Sequence, residues 1–358
     1  VDKKKSHIST VYVPNALLLL EQLLGSRLFA LLFSRIKKWH VAKLERTLIA
    51  TGAQGEKLQV ERRTDLTAEE FQREYLKKSR AVIFSGAASG WDCCQKWDLD
   101  HFSAGYGNND LLLVDAEGLT TREKSDGFEF LTLRELIKNI KAGGDKYLRF
   151  SPLLHENPGL VRDLNLSWLA QMRGQNTFGN TYYMFLGGAG QKTLLHADQP
   201  CNLFVQVYGE KKWVLYYPED SVFLYPELTN TAYVKSPLDI DNPEYSKFPL
   251  FKNATPHEAY LRPGDVLYVP PHVWHQVENK TDTIAVGFRF SRLRAALSSS
   301  VTFSLIRALS TNPSIWKTVK YGKQDTNLIW GHAAGKINEI SGEKKRRQHA
   351  KGGNGPRT

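Results

Sequence analysis

The sequence predicts a mainly β fold of the antiparallel sandwich or barrel type, braced by flanking helices. Short runs rich in β-branched and aromatic residues recur at 146–150, 181–186, 202–208, 211–217, 266–270, 274–278 and 283–290. Gly, Pro, Asn and Asp punctuate them, as in Gly187-Gly188-Ala189-Gly190 and Arg262-Pro263-Gly264-Asp265. No helical patterns alternate regularly with these runs, as a doubly wound sheet would require.

Size and composition agree. The chain has 358 residues, 41% of them apolar, enough for a substantial core in one large domain or two small ones. Its three cysteines, Cys93 and Cys94 adjacent, are too few for a disulfide framework or an all-thiolate zinc site, so a bound metal would need nitrogen and oxygen ligands. Residues 1–48 hold 9 basic and 3 acidic side chains and residues 343–358 hold 6 and 1, which leaves 33 against 33 between them. A neutral body with basic ends argues against a DNA reader, whose basic stripe sits on the folded surface.

Along the chain, the Leu-rich segment 16–33 is interrupted by Glu21, Gln22 and Arg27 and weakened at Gly25-Ser26, so it suits a packed helix better than a membrane span. Arg35, Lys37 and Lys38 follow, which keeps peripheral contact of 16–38 with an anionic membrane surface open. Thr67 with Glu70, and Thr132 with Glu135, have the capping-box spacing of helix starts. Helical patterning returns at 293–309 and 314–320, and residues 343–358 read as a disordered basic tail. With no signal-peptide cleavage pattern, a cytoplasmic chain is expected, and a start at Val1 instead of Met points to residues upstream.

Chemistry gathers at two places. In His196-Ala197-Asp198, period-two alternation puts an imidazole and a carboxylate on one side of an extended segment. Seventy-seven residues beyond Asp198, His275 opens the alternating stretch 274–278. Each histidine alone would read as a hydrogen-bonded structural residue. Two His and one carboxylate together are the facial donor set of non-haem Fe(II) sites, which leaves three coordination positions open. His272 competes with His275, but it follows Pro270-Pro271 and belongs to a turn; His257, in Thr255-Pro256-His257-Glu258, reads as a solvated loop residue. Lys211 opens a strand that continues through Trp213, Leu215 and Tyr217, so an ammonium is aimed at an apolar face, where it needs an anion. Lys212 shares its face with Val214 and Tyr216, and parity does not choose between the two lysines.

The linked strings Thr193-Leu194-Leu195-His196-Ala197-Asp198-Gln199-Pro200-Cys201-Asn202, Gly209-Glu210-Lys211-Lys212-Trp213 and Pro263-Gly264-Asp265, the last running on to Pro270-Pro271-His272-Val273-Trp274-His275, resemble the JmjC/cupin-like Fe(II)- and 2-oxoglutarate-dependent oxygenases. The similarity is greatest to the small JmjC hydroxylases of the hypoxia-inducible factor asparaginyl hydroxylase type. It implies a double-stranded β-helix, or jelly roll, over residues 64–292, between a helical extension at 1–63 and a helical region at 293–342. It also implies that His196, Asp198 and His275 hold Fe(II), that Lys211 pairs with the distal carboxylate of 2-oxoglutarate, and that Thr193, Tyr147 and Asn202 line the cosubstrate. Gly287-Phe288 stands where relatives often show Asn-Phe, so one amide near the iron is missing. The implied reaction consumes O2 and 2-oxoglutarate, releases succinate and CO2, and hydroxylates a substrate carbon. A polypeptide side chain is the expected substrate. A tRNA base, a small metabolite and a non-catalytic metal-binding module are the alternatives, and the basic tail keeps RNA in view. Leu293, Ala296, Leu297, Phe303, Ile306 and Leu309 suit either a homodimer seam or packing on the chain's own barrel.

Overall fold

In the computed structural model, residues 2–51, 55–114, 128–151, 153–228 and 234–309 are described; the expected helix at 314–320 and the basic tail lie outside them. Nine strands carry the fold: β1 (Tyr147–Ser151), β2 (Phe178–Gly187), β3 (Lys192–Ala197), β4 (Cys201–Tyr208), β5 (Lys211–Tyr216), β6 (His257–Leu261), β7 (Val266–Val269), β8 (Trp274–Asn279) and β9 (Thr283–Ser291). One sheet runs β6-β5-β8-β3 and the other β7-β4-β9-β2-β1, each lengthened by short edge strands. All of these pairings are antiparallel, and the two sheets face each other as a jelly roll.

Both faces of both sheets are covered, so the strands read as nearly continuous apolar runs. Phe204, Trp213, Leu215, Val277 and Ala285 point between the sheets. Their neighbours Leu203, Val205, Val286 and Phe288 pack beneath the helices of one outer face. Val214, Tyr216 and Trp274 do the same on the other. Gly209 makes the β4–β5 turn at φ +69°, and a Cβ there would stand 1.9 Å from the Asp282 carbonyl, so only glycine allows β5 to start at Lys211.

The helices follow their sequence signals. Thr67 and Thr132 each cap a helix in a full capping box, the second opening α3 (Leu133–Lys141). Gly25, at φ +76°, divides the Leu-rich segment into two helices, Asp2–Leu24 (α1) and Ser26–Thr51 (α2), tied by an ion pair of Lys37 with Glu21 at 3.0 Å. No described helix is long and apolar enough to cross a membrane. After β9, Leu293–Ser299 (α4) and Val301–Leu309 (α5) turn Ala296, Phe303 and Ile306 inward and leave Leu293, Leu297 and Leu309 exposed. One expectation needs correction. His257 does not lie in a solvated loop: it begins β6, half-buried, with its ring edge-on to Tyr217 at 4.8 Å, because the apolar face of that strand reaches it. The lysine ambiguity also disappears, since Lys211 is wholly buried while Lys212 turns to the opposite face and pairs with Glu258 at 2.8 Å.

Leu136, on the inner face of α3, is fully buried in the cluster that covers β4 and β9. Leu136→Ala should destabilise the protein by about 2–5 kcal/mol, read as a lower urea midpoint at unchanged slope. A loss of less than about 1 kcal/mol would mean that α3 does not close this core.

Candidate metal centre

The site is built by strand register. His196 on β3 and His275 on β8 are direct partners across the antiparallel ladder, and both project between the sheets, the side opposite Leu195, Ala197 and Trp274. Their rings lie 4.3 Å apart, centroid to centroid. Asp198 follows the end of β3, where its carbonyl accepts the His272 N–H at 2.7 Å. Ligand atoms of His196, Asp198 and His275 all lie within 4.8 Å of one another, and all three residues are buried.

The donors suit a metal chemically. Nδ1 of His196 lies 2.8 Å from the Leu194 carbonyl and Nδ1 of His275 lies 2.9 Å from that of Val273. A carbonyl only accepts, so each Nδ1 carries the proton and each Nε2 keeps its lone pair. Burial, with the nearby His275, pushes His196 down to about 3, and burial lowers His275 as well, so both imidazoles are neutral at neutral pH. Burial alone would raise the Asp198 carboxyl, but the Arg289 guanidinium holds it below the ordinary carboxylate range. Trp213, opposite Val277 on β5, stacks on His275 at 5.4 Å and limits its rotation.

The remaining predicted residues converge on the same space. Tyr147, Thr193 and Asn202 line one pocket together with His196 and His275. Lys211 Nζ reaches the Tyr147 hydroxyl at 3.2 Å and also donates to Asn279 Oδ1. Burial depresses the Lys211 ammonium against the opposing pull of Tyr147, and an anion beside it would favour the charged form. A Cβ on Gly187 would fall 2.5 Å from the Tyr147 ring and 2.9 Å from Asn279, so the bare backbone there lets both reach the lysine. Gly287 serves similarly: its Cβ position is 3.2 Å from both Asn202 Oδ1 and the Phe185 ring.

Four contributors were not expected. Arg289 on β9 places Nη1 2.7 Å from Asp198 Oδ2. Arg149 donates through Nε to Thr193 Oγ1 at 3.2 Å and lies 4.2 Å over the Tyr147 ring. Phe150 enters the pocket from a left-handed backbone conformation, φ +53°, at an irregularity in the β1–β2 pairing. Asn279 is the fourth. A lone charge inside the apolar run 283–290 was a visible signal for Arg289; the other three have none in composition or spacing.

A jelly roll that brings two neutral imidazoles and a carboxylate to one interior point defines a class, the cupin-like oxygenases of the JmjC type. Residues 68–295, well over half of the chain, match the cupin-like domain family, and the chain belongs to it. It is similar to lysine-specific demethylase 8 of Xenopus tropicalis, 26% identical over 226 residues that cover 62% of this chain and 51% of that protein. It is 35% identical to human HSPB1-associated protein 1 over 175 residues, 46% of this chain and 35% of the other. Lysine-specific demethylase JMJ30 of Arabidopsis thaliana is 28% identical over 249 residues, 67% of this chain and 56% of that protein. The chain thus spans about half the length of these relatives, or less.

Two outcomes follow. Asp198→Ala should lower the affinity for a divalent metal by more than tenfold, read by equilibrium dialysis; unchanged affinity would refute the ligand set. The second concerns acid. Unfolded histidine takes up a proton near pH 6.5, whereas His196 and His272, both pushed down to about 3 chiefly by burial, do not while folded. The unfolded state therefore binds more protons between these values, and the metal-free protein should lose stability as pH falls from about 6.5 towards about 3. A urea midpoint that stays level between about pH 7.5 and about pH 4.5 would contradict buried neutral imidazoles.

Proposed function

We propose that the chain is an Fe(II)- and 2-oxoglutarate-dependent dioxygenase that hydroxylates a carbon of a polypeptide side chain. The observation that carries this reading is the meeting of His196, Asp198 and His275 within ligand distance of one another inside a cupin-like barrel. Ferrous iron with 2-oxoglutarate and O2 supplies the oxidation of an unactivated C–H bond, with release of succinate and CO2. His196, Asp198 and His275 would hold the metal by one face and leave the other for cosubstrate and oxygen. Lys211 would take the distal carboxylate of 2-oxoglutarate, and the Tyr147 hydroxyl beside it and Thr193 would complete that end. Asn202, whose Oδ1 is buried and makes no hydrogen bond among the described residues, would fix the proximal end. Phe185, Phe204, Trp213 and Val277 line the same pocket and keep water from it.

A protein substrate is supported by the names of the relatives, which include demethylases of lysine. The same oxidation at an N-methyl carbon would release formaldehyde, so that product separates demethylation from stable hydroxylation.

The test is succinate release by iron-loaded protein supplied with 2-oxoglutarate in air. Lys211→Ala should raise the 2-oxoglutarate concentration for half-maximal turnover by about tenfold or more, since a buried charge-assisted contact is worth about 1.5–3 kcal/mol. An unchanged requirement would move the cosubstrate contact elsewhere, and no succinate from the unaltered protein under any condition would end the oxygenase reading.

A further inference from the structure

The metal centre leaves the long helix α2 without a task. Its inner face packs against α1 and against the turn Pro249–Asn253. Phe29 and Leu44 are buried on that side, Phe33 stacks on Phe29 at 5.7 Å, and Lys37 crosses to Glu21 of α1. One apolar face is all that a helix at the edge of a globular body requires. The outer face of α2 is apolar as well. Leu28, Leu32, Arg35 and Trp39 follow one another at intervals of four, three and four residues, which keeps them in one line along the helix for about 16 Å. Leu31 and Ile36 flank that line. Leu31 is 79% exposed, Trp39 59% and Leu32 54%. Six of the eighteen large apolar side chains that the described residues leave exposed fall within residues 23–39. Apolar side chains gathered in this way mark an interaction site, where the same number scattered singly would not.

Charge decides what this face takes. Arg27, Arg35, Lys38, Lys43 and Arg46 are exposed in and around the same line, and Glu45, the single acid of α2, is partly buried and lies off it. Lys43 Nζ stands 5.3 Å over the Trp39 ring, at the border of the apolar patch. A second copy of the face would bring more cations and no carboxylate to offset them. The apolar side chains protrude from one convex helix and line no groove, so they suit a surface that closes around them. The interface of a bilayer does so: Leu and Trp sink to the acyl boundary while Lys and Arg stay among anionic headgroups.

We propose that the outer face of α2, from Leu28 to Arg46, docks the protein on an anionic lipid bilayer, with the helix in the plane of the interface and Leu28, Leu31, Leu32 and Trp39 inserted. The docked helix is tied to the barrel through α1, whose Leu18 belongs to one apolar cluster with Leu195 and Trp274 on the sheet that carries His196 and His275. Docking therefore holds the metal centre at the membrane surface, whatever reaction that centre performs.

The full chain is mixed with sucrose-loaded vesicles of phosphatidylcholine, either alone or with one phosphatidylserine for every two phosphatidylcholines, and the vesicles are sedimented. Affinity should be at least about tenfold greater with phosphatidylserine present and should fall as salt is raised. Leu31→Gln, Leu32→Gln and Trp39→Gln combined, which keep good helix formers on the exposed face, should weaken binding by at least about tenfold and leave the far-ultraviolet circular dichroism unchanged. Arg35→Gln with Lys38→Gln should weaken it by about tenfold or more, since each basic side chain near an anionic surface contributes about fivefold. Equal binding of the unaltered chain to both vesicles, or binding to neither, overturns the proposal. Unchanged binding by the folded apolar variant also overturns it, because charge alone, including that of residues 343–358, would then account for the attraction. Self-association of the lipid-free chain that disappears in the apolar variant would give the face to a second copy, and overturns it too. If the apolar variant does not fold, the exposed basic pair decides: undiminished binding there overturns the proposal.

Discussion

Two imidazoles facing each other across one antiparallel ladder set the terms for the rest of the site. His196 and His275 are register partners, and the pair is sealed from water between two sheets. Neither ring can stay there charged without a large desolvation cost, so each is held neutral with Nδ1 tied to the carbonyl two residues back. That tie fixes both ring orientation and tautomer, and it leaves the two Nε2 lone pairs directed at one point. A metal at that point would take both lone pairs together with the buried carboxylate.

Period-two geometry propagates this constraint. Because His196 and His275 project inward, their neighbours Leu195, Ala197 and Trp274 must project outward, where α1 and α5 cover them. On β5 the same parity sends Lys211, Trp213 and Leu215 inward and Lys212, Val214 and Tyr216 outward. A one-residue slip of β5 against β8 would exchange the two lysines, bury Lys212 beside Tyr147, and remove Trp213 from His275. The glycine turn at Gly209 is therefore part of the site, since it sets where β5 begins.

Much of this was legible because it is local or periodic. The strands, the two capping boxes and the break at Gly25 each follow from a few adjacent residues, and the donor set follows from alternation in one segment plus one distant histidine. Parity alone did not choose between Lys211 and Lys212, because both faces of the sheet are apolar; the choice needs the partner strand, where Lys211 meets Asn279 and Lys212 meets Glu278. His257 misled for a related reason, in that a polar tetrapeptide can start a strand whose far side is covered by Tyr217. Arg149 and Phe150 were out of reach, since they lie at a pairing irregularity in β1, where Phe150 enters the pocket and Arg149 reaches Thr193 and the Tyr147 ring. That irregularity is a property of how β1 meets β2, not of either segment.

The C-terminal helices show how one pattern can serve two readings at once. Phe303 and Ile306 pack against Trp274 and its neighbours and Ala296 is buried too, so half of the apolar set expected for a dimer seam is used within the chain. The same helix braces the metal turn from behind: Ser304 Oγ lies 3.1 Å from His272 Nε2, and Arg307 Nε donates to Gln199, the residue after Asp198. His272 and Gln199 flank the ligands, so α5 acts on the site through the backbone that carries Asp198 and His275. Any seam between copies would have to be built from the outward set Leu293, Leu297, Val301, Leu305 and Leu309, which recurs every fourth residue and stays exposed.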